Sequence, residues 1–446
     1  MLEAKAKAAV FDCFPFFNEL DLLEIRLRET ESVVDRWVLV EAELTHQGSP
    51  KPLFYRDNIK RFAKWNDRII HVVTRPGGVN TSEREWSQRR DVLIGLNNFG
   101  AKDDDIAILA DADEIPSSAS VASYRQEMGR CYLEQRCFYY WLNCEGGLWG
   151  GPKITTVGDL RQVYFLNTIR YGPAHRIGNG GWHFSYLGGA EGMRTKLESF
   201  LHDDLNKPHL KADLHLRVSQ ACGFDLFDRP GHNYRFVGDE GLPDCVKDKK
   251  FDHLIAKGAK FNHQLTDPMQ VRRLCWTFEG RVAALQAAVV EFGCWEGVTA
   301  AALAHCCWPD NLHAVDTWQG SESEGLGHPT VTWAKEHSVY QQFVANMKAL
   351  TRGNVIPHRM KTEEWLKCWK EPIKFAHVDA AHDYASVRAE IAGLQKFLIP
   401  GGIICGDDIL TANASRADLE GGVERAVREL CPGFEVNGNL WIWQKR

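Results

Sequence analysis

Two stretches carry acids at spacings that chemistry can use. "IAILADADEIP", Ile106 to Pro116, runs apolar and then places Asp111, Asp113 and Glu114 close together. On an extended segment Asp111 and Asp113 project to the same side. Two like charges that close repel, so one takes up a proton unless a cation neutralises both. A Mg2+ or Mn2+ ion bridging to a diphosphate is the matching cation, because hard oxygen ligands suit those ions. The plainer reading is a solvated acidic turn with Glu114 as a helix start. Further along, "VVEFGCWEG" carries Glu291 at a strand end and turns through Gly293 and Gly297 into the helix "VTAAALAHCC". Glycine there permits a tight turn and a close backbone approach. Trp295 stands where the fingerprint G-x-G-x-x-G has its second glycine, which argues against NAD. Asp316 ends the next strand, placed to bond ribose hydroxyls. "HVDAAHDY" and "GGIICGDDI" put Asp379, Asp407 and Asp408 at strand ends, where three carboxylates could converge on a divalent ion. Taken singly, each reads as a turn residue or a helix cap.

Such residues meet only if several strands end side by side. The strand-like runs "AAVFDCF", "RWVLVEAE", "DRIIHVVT" and "DIAILADADE" come with the amphipathic segment "LDLLEIRLRETES". That alternation predicts a largely parallel sheet with helices on both faces, and ligands beyond the carboxyl ends of the strands. From Asn143 to Gly189 the texture predicts Gly- and Trp-rich loops, suited to stacking a sugar or to plain loop packing. After Phe261 "DPMQVRRLCWTFEGRVAALQ" reads as a helical connector. A second alternation follows, with strands "LHAVDTW", "NVIPHRM", "IKFAHVDA" and "GGIICGDDI" and the helical pattern "YASVRAEIAGLQKFL". "FEVNGNLWIWQKR" has an Asn-Gly turn between apolar runs and reads as a closing hairpin. The expected architecture is α/β throughout, with domains at residues 1–265 and 266–446.

The composition agrees with an enzyme. A chain of 446 residues is too long for one ordinary core. Its net charge of -6 argues against nucleic acid as the main partner. Thirteen cysteines, an odd number with no C-x-x-C pair, include Cys294 and Cys405 inside apolar runs. Buried free thiols in a reducing compartment explain them better than a disulfide framework. Asp12, Asn18, Glu19 and Asp21 interrupt any apolar signal near the start, and no run is long enough to span a membrane. A cytoplasmic protein without a membrane span is expected.

Five segments carry a family resemblance: "FDCFPFFNELDLLEIRL", "VDRWVLVEAELTHQGSPKPLFY", "WSQRRDVLIGL", "ILADADEIP" and "GWHFSYLGGAEGMRTKLESFLH". In this order, within Ala9 to Phe261, they resemble glycosyltransferase family 17, the family of the enzyme that adds bisecting GlcNAc to β-mannosyl glycoproteins. The resemblance implies a GT-A-like nucleotide-sugar domain, an inverting reaction, a metal at Asp111 and Asp113, and UDP-GlcNAc as donor. In such a reaction the metal offsets charge on the leaving UDP while a carboxylate deprotonates the acceptor hydroxyl. Glu191 is the favoured base, with Asp159 and Glu145 behind it, and His202 is a further candidate metal ligand. Glu41 either contacts the nucleotide or is a buried carboxylate satisfied by backbone amides.

From Ala287 to Arg446 the chain resembles class I S-adenosylmethionine-dependent O-methyltransferases of small molecules and sugars. By that resemblance Glu291, Gly293 and Asp316 hold S-adenosylmethionine, with Gly297 in the same turn. Asp379, Asp407 and Asp408 hold Mg2+ or Mn2+, and His382 is the base or a substrate contact. The expectation is a bifunctional enzyme that extends a glycan from a nucleotide sugar and methylates a sugar hydroxyl. The alternatives are one inactive domain that only binds nucleotide or glycan, or a carbohydrate-binding scaffold built on the Trp-rich loops.

Overall fold

The computed structural model describes residues 7–201, 203–263, 266–320, 329–409 and 421–446. The chain divides into two compact units: Met1–Ala212 with Asn233–Ala256, and Asp213–His232 with Lys257–Arg446.

Unit 1 is built on ten strands: β1 Val10–Phe16, β2 Arg36–Ala42, β3 Ile69–Thr74, β4 Ile106–Leu109, β5 Glu114–Pro116, β6 Cys131–Tyr139, β7 Cys144–Trp149, β8 Lys153–Thr156, β9 His175–Ser185 and β10 Arg235–Phe236. The order is β10-β7-β6-β8-β4-β1-β2-β3, with β9 pairing both β5 and β6. β4, β1, β2 and β3 run parallel, so their carboxyl ends share one edge, as the sequence predicts. Alternation along these strands feeds two cores. Phe14, Phe16, Trp37, Leu39 and Ile108 pack on one face, and Phe11, Cys13, Val38, Val40, Ala107 and Leu109 on the other. Burial on both faces is why the strands read as near-continuous apolar runs.

The predicted loop region from Asn143 to Gly189 instead holds three strands, β7, β8 and β9, antiparallel or parallel to their neighbours. Gly180 and Gly181 serve close backbone packing. A Cβ on Gly180 would lie 2.5 Å from the carbonyl carbon of Leu133 on β6. Glycine in a strand interior marks this kind of approach, which sequence texture alone reads as loop.

One buried ion pair ties unit 1 to its acidic turn. Asp12 on β1 faces the helix Leu20–Thr30, and Arg26 of that helix donates to both its oxygens, at 2.7 and 2.6 Å. Both side chains are wholly buried. The remaining Arg26 nitrogen, Nη1, donates to the carbonyls of Asp111 at 2.7 Å and Glu114 at 3.0 Å. The guanidinium also lies 4.1 Å from the Phe14 ring centroid.

Unit 2 has seven strands: β11 Ala288–Phe292, β12 Leu312–Asp316, β13 Val355–Arg359, β14 Ile373–Val378, β15 Leu398–Gly406, β16 Glu435–Asn437 and β17 Leu440–Gln444. Their order is β13-β12-β11-β14-β15-β17-β16, parallel from β13 to β15 and antiparallel through the closing hairpin. The connector helix Pro268–Arg281 and the helices Val298–Cys307 and Tyr384–Gln395 form where the periodicity puts them. All thirteen cysteines are free thiols, and only Cys368 is exposed. Among the described residues no helix is long and apolar enough to cross a membrane.

Replacing Arg26 with leucine should strand the Asp12 carboxylate and two carbonyls in the core, a loss of about 3–5 kcal/mol. Urea unfolding of the full chain measures it. The double change Asp12→Leu, Arg26→Leu should recover part of that loss but not all, because the Asp111 and Glu114 carbonyls still lack a donor. A single-variant loss below about 1 kcal/mol, the scale of an exposed pair, would refute the assigned role.

Candidate active sites

In unit 1 the acids follow β4 at the shared carboxyl edge. They do not lie on an extended segment. Glu114 N–H donates to the Asp111 carbonyl at 3.1 Å, closing a turn, and Glu114 then begins β5 rather than a helix. The turn breaks the alternation that would aim Asp111 and Asp113 together, and each meets its own cations. Arg89 Nη1 lies 2.7 Å from Asp111 Oδ1, and Arg170 Nη2 donates to Oδ2 at 2.7 Å. Lys196 Nζ donates to Asp113 Oδ2 at 2.7 Å, and His183 Nε2 lies 3.5 Å from the same oxygen. Glu114 accepts from Arg170, from Trp149 Nε1 at 2.6 Å and from the Asp111 N–H at 2.7 Å.

The charges act on one another. Burial alone would raise the Asp111 carboxyl, but Arg170 and Arg89 outweigh it and hold the group below the usual carboxylate range. Burial would likewise lower the His183 imidazole, yet the Asp113 carboxylate overrides it and carries the pKa up to about 10.

These contacts decide which acids fit a divalent ion. Both Asp111 oxygens are beside nearly buried guanidiniums. Drawing Asp111 away would leave those charges uncompensated, at about 3–5 kcal/mol for each broken pair. Asp111 therefore does not fit a metal. Asp113 Oδ1 has no hydrogen bond or ion pair among the described residues, so of the expected carboxylate pair only Asp113 offers an ion an oxygen.

The other expected residues of unit 1 lie elsewhere. Glu41, at the end of β2, is buried and accepts from Tyr55 N at 2.8 Å, Arg56 N at 3.4 Å and His71 Nε2 at 3.0 Å. It holds its own loop. Asp159 is gripped by both arms of Arg130 and by Thr155, and Glu145 pairs with Arg136. Glu191 is exposed on the helix Gly189–Ser199, five positions before Lys196 and so about 140° around the axis from it. His202 lies outside the described residues.

Sequence reasoning missed Arg89, Arg170, Lys196 and His183. A signal for Arg89 exists: the helix Thr81–Arg90, "TSEREWSQRR", has almost no apolar residue, yet it packs in the fold. Its inward face, Glu85, Gln88 and Arg89, has to be polar. Trp86 on the same helix is partly exposed and meets the exposed Phe165 edge-on, with centroids 5.6 Å apart.

In unit 2 the ends of β11, β12, β14 and β15 line a cavity of about 610 Å3. Gly293, Cys294, Trp295, Asp316, Asp379, His382, Asp407 and Asp408 all face it. Asp316 does not present a free carboxylate. Its Oδ2 accepts from the N–H groups of Cys294 and Trp295, at 2.8 and 2.9 Å, and Oδ1 from Trp318 N–H at 2.7 Å. It thus shapes the turn that forms the cavity wall. Gly293 has φ +81°, and a Cβ there would collide with the carbonyl of Asp379. Gly297 starts the helix Val298–Cys307 and packs against Phe343 and Met347.

Glu291 is absent from the cavity lining; it is buried, with Oε1 3.3 Å from His377 Nδ1 on the neighbouring strand β14. Glu296, not anticipated, is buried and accepts from Asn262 N–H at 2.7 Å, Asn262 Nδ2 at 2.7 Å and His263 N–H at 3.0 Å, closing one side of the cavity.

Asp379, His382 and Asp408 bring one ligand atom each within 4.8 Å of one another, the only such group of three among the described residues. His382 Nε2 is 3.1 Å from Asp408 Oδ2 and 3.7 Å from Asp379 Oδ1. Asp407 stands apart from that group. Its Oδ1 accepts from Gln270 Nε2 at 3.1 Å and from the Asp408 N–H at 2.8 Å. Burial, reinforced by Asp379, pushes its carboxyl up to about 6. Two oxygens and an imidazole nitrogen suit a divalent ion, so the group fits one, with His382 in the place expected of Asp407.

Residues 290–409 match a family model described as a methyltransferase domain. Solved structures similar to the chain include the O-methyltransferase NovP, at 13% identity and TM-score 0.34, covering 53% of this chain and 99% of that one. Another is the O-methyltransferase TomG from Streptomyces achromogenes in complex with SAM, at 15% identity and TM-score 0.31, covering 42% and 84%. The human β-1,4-mannosyl-glycoprotein 4-β-N-acetylglucosaminyltransferase is 29% identical over 169 residues, 34% of this chain and 31% of that protein. Its Rattus norvegicus counterpart is 28% identical over the same length. The chain thus spans about a third of the length of these curated relatives. A GT-A-like nucleotide-sugar domain is followed in the chain by a Rossmann-like methyltransferase domain. The model of glycosyltransferase family 17 matches residues 2–238, more than half of the sequence, and the chain belongs to that family.

Proposed function

We propose that the protein is a bifunctional glycan-modifying enzyme. Unit 1 transfers a sugar, GlcNAc from UDP-GlcNAc, to a glycan acceptor with inversion. Unit 2 methylates a sugar hydroxyl with S-adenosylmethionine. The observation that carries the methyl-transfer half is the unit 2 cavity, where the Gly293 turn and the Asp379–His382–Asp408 group share one wall of strand ends. A methyl donor and an activated hydroxyl must meet within bonding distance, and this cavity offers both binding surfaces. Free thiols throughout the chain support a reducing, cytoplasmic setting.

In unit 2 the backbone from Gly293 to Trp295, held by Asp316, would cradle the cofactor. Asp379, His382 and Asp408 would hold Mg2+ or Mn2+, which when bound supplies positive charge that lowers the pKa of an acceptor hydroxyl. His382 serves there as a ligand, and Asp407, still lining the cavity, is the remaining acid beside it. In unit 1 Lys196 and His183 fix Asp113 so that its free oxygen faces a cation or a donor hydroxyl. The exposed Trp86 and Phe165, on and beside the helix that carries Arg89, support an acceptor that stacks sugar faces. The overall test is mass spectrometry of products from a glycan panel supplied with UDP-sugars and S-adenosylmethionine. Absence of both a sugar and a methyl adduct would reject the reading.

EDTA should stop methyl transfer to a pre-formed acceptor, and Mg2+ or Mn2+ should restore it. Asp379→Asn should reproduce the loss while calorimetry shows S-adenosylmethionine still bound. Asp407→Asn should keep its metal, since an amide oxygen can still accept from Gln270 and Asp408. Undiminished methylation in EDTA would remove the metal from the reaction.

Asp113→Ala should lower sugar transfer by about a hundredfold or more, the scale for losing a preorganised electrostatic contact. Methyl transfer to an acceptor that already carries the sugar should continue. Sugar transfer within threefold of the parent enzyme would exclude Asp113 from the site.

A further inference from the structure

The acids expected to act as base in unit 1 are all otherwise engaged or misplaced. Asp159 and Glu145 are neutralised by arginines, and Glu191 lies exposed on another face of its helix. Asp111 and Asp113 are held ionised by the cations around them and are poor proton acceptors. Glu114 is buried among Arg170, Trp149 and a backbone amide.

One carboxylate at the same edge has a different setting. Glu19 follows the carboxyl end of β1, the strand next to β4 in the sheet. Its Oε2 accepts from the N–H groups of Phe17 and Asn18, at 3.2 and 3.0 Å, which fixes the side chain. Oε1 has no hydrogen bond or ion pair among the described residues. Asp113 and Lys196, of the turn after the neighbouring strand β4 and the helix Gly189–Ser199, both act on it electrostatically. Lys51 faces it as well, with Nζ 5.1 Å from the Phe17 ring centroid and no hydrogen-bond partner of its own. Glu19 is thus anchored by one oxygen and open at the other. It stands beside the residues proposed to hold the donor.

We infer that Glu19 is the catalytic base of the sugar transfer. The assignment rests on the reading of unit 1 as an inverting glycosyltransferase. Oε1 takes the proton of the acceptor hydroxyl as that oxygen forms its bond to the anomeric carbon. The bond from the anomeric carbon to the donor phosphate oxygen breaks on the opposite face, and its electron pair leaves with the nucleoside diphosphate. The proton remains on Glu19 until solvent removes it. Burial, then the Asp113 charge, raise the Glu19 carboxyl above its ordinary value, which makes it the more effective acceptor. Lys196 and backbone hydrogen bonding act in the opposite direction and keep it available as the anion. A helix-capping role alone would need its oxygen on the first-turn amides of the helix Leu20–Thr30, and no such side-chain bond is made.

The test uses the full chain, UDP-GlcNAc, and a panel of aryl glycoside acceptors that includes a β-mannoside. Glu19→Gln should cut the turnover for UDP release by about 100-fold or more, the usual contribution of a general base. Calorimetric affinity for UDP-GlcNAc should stay within about twofold. The acid limb of the kcat/KM profile, present in the parent enzyme, should vanish. Glu19→Asp should retain intermediate turnover with that limb, and Glu191→Gln should behave as the parent. Turnover of Glu19→Gln above a tenth of the parent value, with the acid limb unchanged, would overturn the base assignment and leave the glycosyltransferase reading standing. A parent enzyme that binds S-adenosylmethionine but neither binds nor consumes UDP-GlcNAc or other UDP-sugars would overturn the reading itself, and the base with it.

Discussion

The buried pair of Asp12 and Arg26 is the constraint on which the first unit depends. A guanidinium in a core is tolerated only if all its donors are used, because an unpaired buried charge costs several kcal/mol. Arg26 meets that demand by dividing itself between a strand and a turn. Two donors close on Asp12, and a third holds the carbonyls of Asp111 and Glu114. The carboxyl end of β1 and the acidic turn after β4 are therefore set by one rigid, planar group. Thr30 and Trp37 extend the arrangement. Trp37 Nε1 donates to Thr30 Oγ1 at 3.0 Å, and that hydroxyl donates to the Arg26 carbonyl at 2.7 Å. The turn is held from beneath by the core and from above by Arg89, Arg170 and Lys196.

The two units handle crowded carboxylates in opposite ways. In unit 1 the protein supplies the counter-charges, and four cationic side chains are matched to Asp111, Asp113 and Glu114. Such a cluster is preorganised and leaves few free ligand atoms. In unit 2 Asp379 and Asp408 both face the His382 imidazole, and Asn439 also donates to Asp408, at 3.1 Å. Fixed cations favour binding and orientation of a polar substrate, whereas carboxylates grouped with an imidazole suit a metal.

Unit 2 also shows how a strand-end acid can act through the backbone. Asp316 spends both oxygens on amides of the turn that follows β11 and of its own loop, and Gly293 rests against the Asp379 carbonyl. The Gly293 turn and the acid group are thus mechanically one object. A change in the turn is felt at Asp379 without any direct side-chain contact.

Periodicity and strand-end placement alone determined a good deal: two α/β alternations, the closing Asn-Gly hairpin, and acids at the carboxyl edges of both sheets. These are local properties, since strand and helix periods and the residues that terminate them are written within ten or so positions. Family membership was legible for the same reason, in five contiguous segments. Partner choice was not. Arg89, Arg170, Lys196 and His183 reach the acidic turn from 22 to 83 positions away, and, the polar helix of Arg89 apart, nothing local distinguishes them from surface charges. Asp407 lies apart from the Asp379–His382–Asp408 group, and one of the bonds to its oxygen comes from Gln270, 137 positions distant. Glu41 and Glu291 look alike in sequence, acids late in apolar strands, yet both face the core and satisfy neighbours there. Side-chain direction at a strand end depends on the turn that follows and on the charges packed against it, and those are decided only when the chain has folded.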